Sequence, residues 1–194
     1  VVDSADLPLN VSREILQQDE RVTTIRSALT KRVLAMLQTL ADQKPEEYHP
    51  FWDAFGAVLK EGTGEDFANR EALLKLLRFS STKSPEKAPR VGLDGYLERM
   101  VEGQDKIYYL AADAWETARN SPHLEIFRER GIEVLLLHER IDEWMMANLH
   151  EYQGKAFQDV ARADLALPGE PAPAGTDDTE QNPLTARIAA ALGD

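Results

Sequence analysis

Two places in this chain carry residues whose types and spacing could do chemistry. The first is Arg13, in the run Leu7-Pro8-Leu9-Asn10-Val11-Ser12-Arg13-Glu14-Ile15-Leu16-Gln17. Residues 1–10 read as the end of a strand followed by an Asx/Pro turn. Ser12 then caps a helix, Glu14 sits in its first turn, and Ile15 and Leu16 begin its apolar face. A cation at a helix N-terminus opposes the helix dipole, so a guanidinium there suits an external anion. The plain alternative is a surface arginine paired with Asp3 or Asp6.

The second place is Ile141-Asp142-Glu143-Trp144-Met145-Met146, where a tryptophan and two methionines stand among charges. Core packing accounts for such a cluster. So does an adaptable surface for varied partners, since aromatic and thioether side chains bind without demanding one geometry. Asp142 and Glu143 are chain neighbours on a helix and point apart, so they make a poor acid/base pair. Trp52 and Trp115 read as core or partly buried, and Tyr108-Tyr109 as one inward and one outward residue of a strand.

Other chemistry is missing its parts. No glycine-rich phosphate loop or dinucleotide fingerprint is present, and no serine stands in a nucleophile-elbow context. His49, His123, His138 and His150 lack metal-ligand spacing, so no metal site is expected. The absence of cysteine removes thiol catalysis and Cys-based zinc sites, and fits a reducing compartment. A net charge of -12 argues against nucleic acid and anionic membranes as partners. No apolar run approaches the ~20 residues needed to span a bilayer.

These residues need elements to position them. The chain has 194 residues, 43% hydrophobic and 29% charged, enough for a core and a hydrated surface. Val22, Ile25, Leu29, Val33, Met36, Leu37 and Leu40 form one helical stripe, read as a packed face. Pro45 or Pro50 opens a second helix, with Phe51, Trp52, Phe55, Val58 and Leu59 as its core face and Gly62 and Gly64 as its stop. A third carries Leu73, Leu74, Leu76 and Leu77. Residues 20–79 therefore read as a three-helix coil.

Ser80 to Arg90 reads as a polar loop. Beyond it, helices (93–101, 113–119, from 121 to Gly131, and 141–149) alternate with strands at 106–111 and 133–137, and with an edge strand at 155–160. This predicts a small α/β/α subdomain over 80–162. Residues 163–181 hold Pro168, Pro171 and Pro173 with Glu170, Asp177, Asp178 and Glu180, and no Lys or Arg, so they read as a disordered acidic linker. Residues 182–194 read as a short helix with Leu184, Ile188 and Leu192 on one face. The fold class expected is mixed α/β. Because residue 1 stands inside a strand pattern and the last helix has no core of its own, the chain is expected to be a piece of a longer protein.

The chain also resembles a known family. The run Val1-Val2-Asp3-Ser4 through Gln17 looks like the middle-domain signature of the 90-kDa heat-shock chaperones, bacterial HtpG type. The likeness continues colinearly through Phe67-Ala68-Asn69-Arg70-Glu71, Leu76-Leu77-Arg78-Phe79, Lys106-Ile107-Tyr108-Tyr109, Ser121-Pro122-His123-Leu124-Glu125, Gly131 to Leu137, Arg140 to Trp144 and Gly154-Lys155. It covers most of residues 1–162.

The resemblance implies a set of roles. Residues 1–19 would be the end of a larger α/β subdomain carrying a catalytic loop, and 182–194 the first helix of a C-terminal dimerisation domain. Arg13, supported by Gln17, would reach the γ-phosphate of ATP held by an N-terminal domain; this chain alone would bind neither ATP nor a metal and would not be an enzyme. Glu143 and Trp144 would belong to a surface for non-native client proteins; Ala147 stands where the family has Asn. The longer protein would be a cytoplasmic homodimeric ATPase chaperone, with cochaperones as further partners, and this piece a monomer. The competing expectation is a passive adaptor that docks other domains without client contact.

Overall fold

The computed structural model describes residues 20–84, 87–162 and 167. Arg13 and Gln17, the expected linker apart from Leu167, and the expected last helix lie outside the described residues.

Helix α1 (Glu20–Gln43) and helix α2 (Pro45–Glu65) are joined by Lys44 alone. Pro45 opens α2 because its fixed φ suits a first turn and its missing N–H is needed by nothing there; Glu46 and Glu47 follow, favourable at the positive end of the dipole. Pro50 lies inside α2 rather than at its start. The helix also passes through Gly62 and Gly64, which the sequence reading took as its stop, and ends at Glu65. Asp66 then caps a 3-10 turn, Phe67–Asn69, which leads into helix α3 (Arg70–Leu76).

The buried faces are offset from the expected ones. In α1 the buried residues are Leu34, Leu37 and Ala41, while Leu29, Val33 and Met36 are exposed. The face that meets α2 and α3 is rotated by about one residue, or ~100°, from the longest apolar stripe. In α2 the buried set is Tyr48, Trp52, Gly56, Lys60 and Thr63, while Phe55 and Val58 are exposed. Tyr48 donates its hydroxyl to the Leu76 carbonyl at 2.7 Å, tying α2 to the end of α3, and burial pushes its pKa up to about 12.

The remaining elements are strand β1 (Ser80–Ser81), helix α4 (Leu93–Glu98), strand β2 (Lys106–Ala111), helix α5 (Trp115–Arg119), a 3-10 turn (Pro122–Leu124), helix α6 (Glu125–Glu129), strand β3 (Leu135–Leu137), helix α7 (Arg140–Asn148), strand β4 (Glu151–Tyr152) and strand β5 (Lys155–Asp159). The sheet order is β1-β3-β2-β5-β4. β2 is central, parallel to β3 (Tyr109 opposite Leu135) and to β5 (Lys106 opposite Ala156).

Strand β5 is therefore an inner strand, not the edge expected, because β4 pairs antiparallel outside it. Those two form a hairpin through Gln153 and Gly154, both at positive φ, as a two-residue turn matched to strand twist requires. The other edge, β1, lies in the stretch read as a loop. Two serines give no periodic signal, yet both are buried because Ser80 donates to the Lys87 carbonyl and Ser81 to Glu133.

Alternation along the strands builds a core on each side of the sheet. Ile107, Leu135 and Leu137 face one way and join Leu34, Trp52, Leu76, Leu93 and Met145. Tyr108, Leu110, Val134 and Leu136 face the other and join Ala118, Leu124 and Phe127. The first core runs without a break from the three-helix coil onto the sheet. Tyr108 is fully buried in the second core and Tyr109 partly buried against the first, so the expected split of one inward and one outward tyrosine becomes a split between two cores; Tyr109 packs edge-on against Phe157.

Candidate functional site

Helix α7 starts directly after β3, at the C-terminal end of the parallel strands, and its start is fixed by a capping box. The Glu139 side chain accepts from the backbone N–H of Asp142, and Asp142 accepts from the backbone N–H of Glu139 at 2.9 Å and of His138 at 3.0 Å. Two orphan donors of the first turn are thereby satisfied.

Beneath this cap lies a buried cation. Lys60 of α2 donates to Asp142 at 2.6 Å and to Glu139 at 2.9 Å. Its ammonium also lies 5.8 Å from the Trp52 ring centroid and 5.6 Å from that of Phe79. Asp142 is thus turned wholly inward while Glu143, next to it, is exposed, which removes them as a catalytic pair.

Trp144 is 39% exposed. Its six-membered ring lies against Gly64 of α2, so closely that a Cβ there would collide with the ring. The Trp144 carbonyl accepts from Asn148 Nδ2 at 3.0 Å, and the Asn148 carbonyl accepts in turn from Arg70. Met145, by contrast, is fully buried in the first core and Met146 packs against it. The site is therefore a single exposed indole with Glu143 and Ala147 beside it, and not a methionine-rich surface.

Among the described residues no group of His, Asp and Glu could hold a metal ion, and no helix is long and apolar enough to cross a membrane.

Comparison with known proteins places the fold. The model of the Hsp90 protein family matches residues 1–194. The chain belongs to the Hsp90 family. Chaperone protein HtpG of Pectobacterium atrosepticum is 62% identical over 168 residues, covering 86% of this chain and 27% of that protein. HtpG of Shewanella amazonensis is 54% identical and covers 100% of this chain and 31% of that protein. The chain thus spans less than a third of the length of these relatives. Among solved structures, the middle domain of a Plasmodium falciparum heat shock protein superposes with a TM-score of 0.68 at 32% identity, covering 75% of this chain and 61% of that one. The Hsp90-family middle-domain fold is the one described above.

Within this Hsp90 middle domain, the structure brings Glu143 and Trp144 together on one exposed face. Three contributors escaped the sequence reading: Lys60, Gly64 and Arg70. Two of them had a signal. Tyr48, Trp52, Gly56, Lys60 and Gly64 recur every four residues, which places them along one side of α2. Of the two readings of Trp115, core or partly buried, the second holds, and Arg119 stacks on its ring at 4.9 Å.

Proposed function

We propose that this chain is the segment of an ATP-dependent HtpG-type chaperone that holds non-native client proteins and couples them to ATP-driven closure. One observation carries the client-binding part. A large aromatic side chain is left 39% exposed in the middle of α7, a helix whose opposite side is fixed by a buried ion pair. A rigid aromatic anchor loses little conformational entropy on binding and gives much contact area. Glu143 beside it adds a negative charge that favours segments of positive charge.

Arg13 supplies the coupling. A planar, permanently charged guanidinium is suited to the charge that develops on a transferring phosphoryl group, and supplying it from outside the nucleotide domain makes hydrolysis depend on closure. Gln17, one helical turn on, supports that contact. The ATP sits in a separate N-terminal domain of the same protein, dimerisation belongs to a C-terminal domain, and the protein works in the cytoplasm with cochaperones. This chain alone does not hydrolyse ATP.

The test is an NMR titration of the chain with a soluble non-native protein, repeated with Trp144→Arg and with Glu143→Lys. Shifts centred on residues 143–147, lost in Trp144→Arg with the remaining spectrum retained, are expected. Shifts that persist in both variants, or no shifts at all, would leave a passive adaptor in its place. For Arg13, the Arg13→Ala change in the full-length protein should leave ATP binding intact and lower turnover; unchanged turnover overturns the role.

A further inference from the structure

A cleft of about 500 Å³ lies along the seam where the coil meets the α/β layer. Its walls carry Lys75 and Arg78 from the end of α3, and Lys83 and Arg90 from the segment around β1. In a chain of net charge -12 this is a local reversal of sign. Arg90 is matched by Asp53, which takes both guanidinium nitrogens at 2.8 and 3.0 Å. Arg99 is matched by Glu133.

The other three cations are unmatched. Among the described residues, Lys75 and Lys83 make no side-chain hydrogen bond or ion pair, and Arg78 has no carboxylate within salt-bridge distance. Arg78 is held in place regardless. It stacks on the Tyr48 ring at 4.8 Å, donates to the Lys75 and Leu77 carbonyls, and lies against Gly92, where a Cβ would come within 3.1 Å of it. Three carboxylates also line the cleft: Glu133 is taken by Arg99, while Asp42 accepts from Gln38 and Asp94 from Tyr152 and Gln153, so these two act on Arg78 only through longer-range attraction, and the five cations still outnumber them.

A fixed guanidinium flanked by two free ammonium groups suits carboxylates spaced along a peptide. The chain itself contains such a peptide. Residues 163–181 include Glu170, Asp177, Asp178 and Glu180 and no Lys or Arg. The last described residue, Leu167, is buried in the second core with Ile132 and Val134, which flank the cleft residue Glu133. Ten extended residues reach up to ~33 Å, which is the tether available to Asp177 from that anchor. We infer that the cleft is a docking site for the acidic segment 170–180 of this same chain, which crosses the seam between coil and sheet.

The chain has no cysteine, so one introduced cysteine takes a label uniquely. A nitroxide on Thr176→Cys should cause loss of the Gly92 and Gly95 amide NMR signals of the cleft. Those signals should return with Lys75→Glu/Lys83→Glu, two exposed lysines outside the core, and at ~0.5 M salt, where the Debye length is only a few ångströms. Arg26→Glu/Lys31→Glu, the same charge change on a distant part of α1, should not restore them. No selective loss, or equal recovery in both double variants, overturns the inference. If the label leaves the cleft untouched while an added oligo-glutamate peptide shifts Gly92 and Gly95, the cleft serves a separate acidic protein and the assignment to residues 170–180 fails.

Discussion

Lys60 and Asp142 are paired at 2.6 Å with each side chain 3% exposed, although one belongs to the coil and the other to the helix that carries Trp144. Desolvating two charges costs free energy that their attraction repays only when every remaining donor and acceptor is satisfied. Here Glu139 takes a second Lys60 proton, and two backbone N–H groups take the other Asp142 oxygen. The pair sets the position of α7 against α2, and so the attitude of the exposed indole.

Removing one partner should therefore cost more than the pair contributes. Lys60→Met leaves Asp142 buried and unpaired, for an expected loss of ~3–5 kcal/mol in urea-unfolding free energy. A loss below ~1 kcal/mol would mean that water reaches Asp142 and that the pair does not fix the helix.

Gly64 gives a sharper test of the seat under Trp144. In an exposed helix interior, Gly→Ala stabilises by ~1 kcal/mol. In this protein Gly64→Ala should instead destabilise, because the new Cβ meets the indole. In a Trp144→Ala background that penalty should disappear. Equal effects in the two backgrounds would show that the ring does not rest on Gly64.

Tyr96 is a hub of buried hydrogen bonds. Its hydroxyl donates to the Glu133 carbonyl at 2.8 Å and accepts from the Tyr108 backbone N–H at 2.9 Å and from Gln104 at 3.1 Å. Burial raises its pKa further than the bonds to Tyr108 and Gln104 lower it. Tyr96→Phe keeps the packing and strands those partners, so a loss of roughly 1–3 kcal/mol is expected by thermal or urea unfolding.

His49 predicts a pH dependence. Burial, then the Arg90 and Arg78 charges, hold its pKa below the ordinary 6.5, against the smaller opposite pull of Asp53 and Glu46. The unfolded chain therefore binds the proton more readily, and stability falls as pH drops through ~6.5. His49→Gln should lose less stability than the parent between pH 7.5 and 5.5. Parallel curves over that interval would exclude a contribution from this histidine.

The sequence revealed most where burial follows period. The central strand Lys106–Ala111 matches its expected bounds, and the apolar β3 falls within its predicted range. The Leu73-to-Leu77 cluster was equally legible; the start of α2 was legible only as a choice between Pro45 and Pro50, which the structure decides for Pro45. Concealed were features that depend on a partner distant in sequence. The four-residue repeat of α2 places Lys60 beside Trp52 but does not show its counter-ion Asp142, and Ser80 and Ser81 read as loop until β3 pairs with them. Gly64 reads as a helix stop because a glycine without its neighbour shows only its cost, and the neighbour is Trp144. On α1 the longest apolar stripe was visible, but the face chosen by α2 and α3 lies one residue away. The resemblance carried the attention to Glu143 and Trp144; composition alone left Trp144 equally at home in a core.

The reach of Lys60 across the chain also bears on how this protein is made. Its partners Glu139 and Asp142 are 79 and 82 residues downstream. At synthesis rates of 5–20 residues per second, roughly 4–16 s separate the emergence of Lys60 from that of its counter-ions. During that interval α1, α2 and α3 can form as local helices, but the side of α2 that bears Trp52 and Lys60 has nothing to close against. A nascent chain of this family should therefore pass through a stage in which its own half-finished apolar surface is open to capture, and only the arrival of α7 ends it.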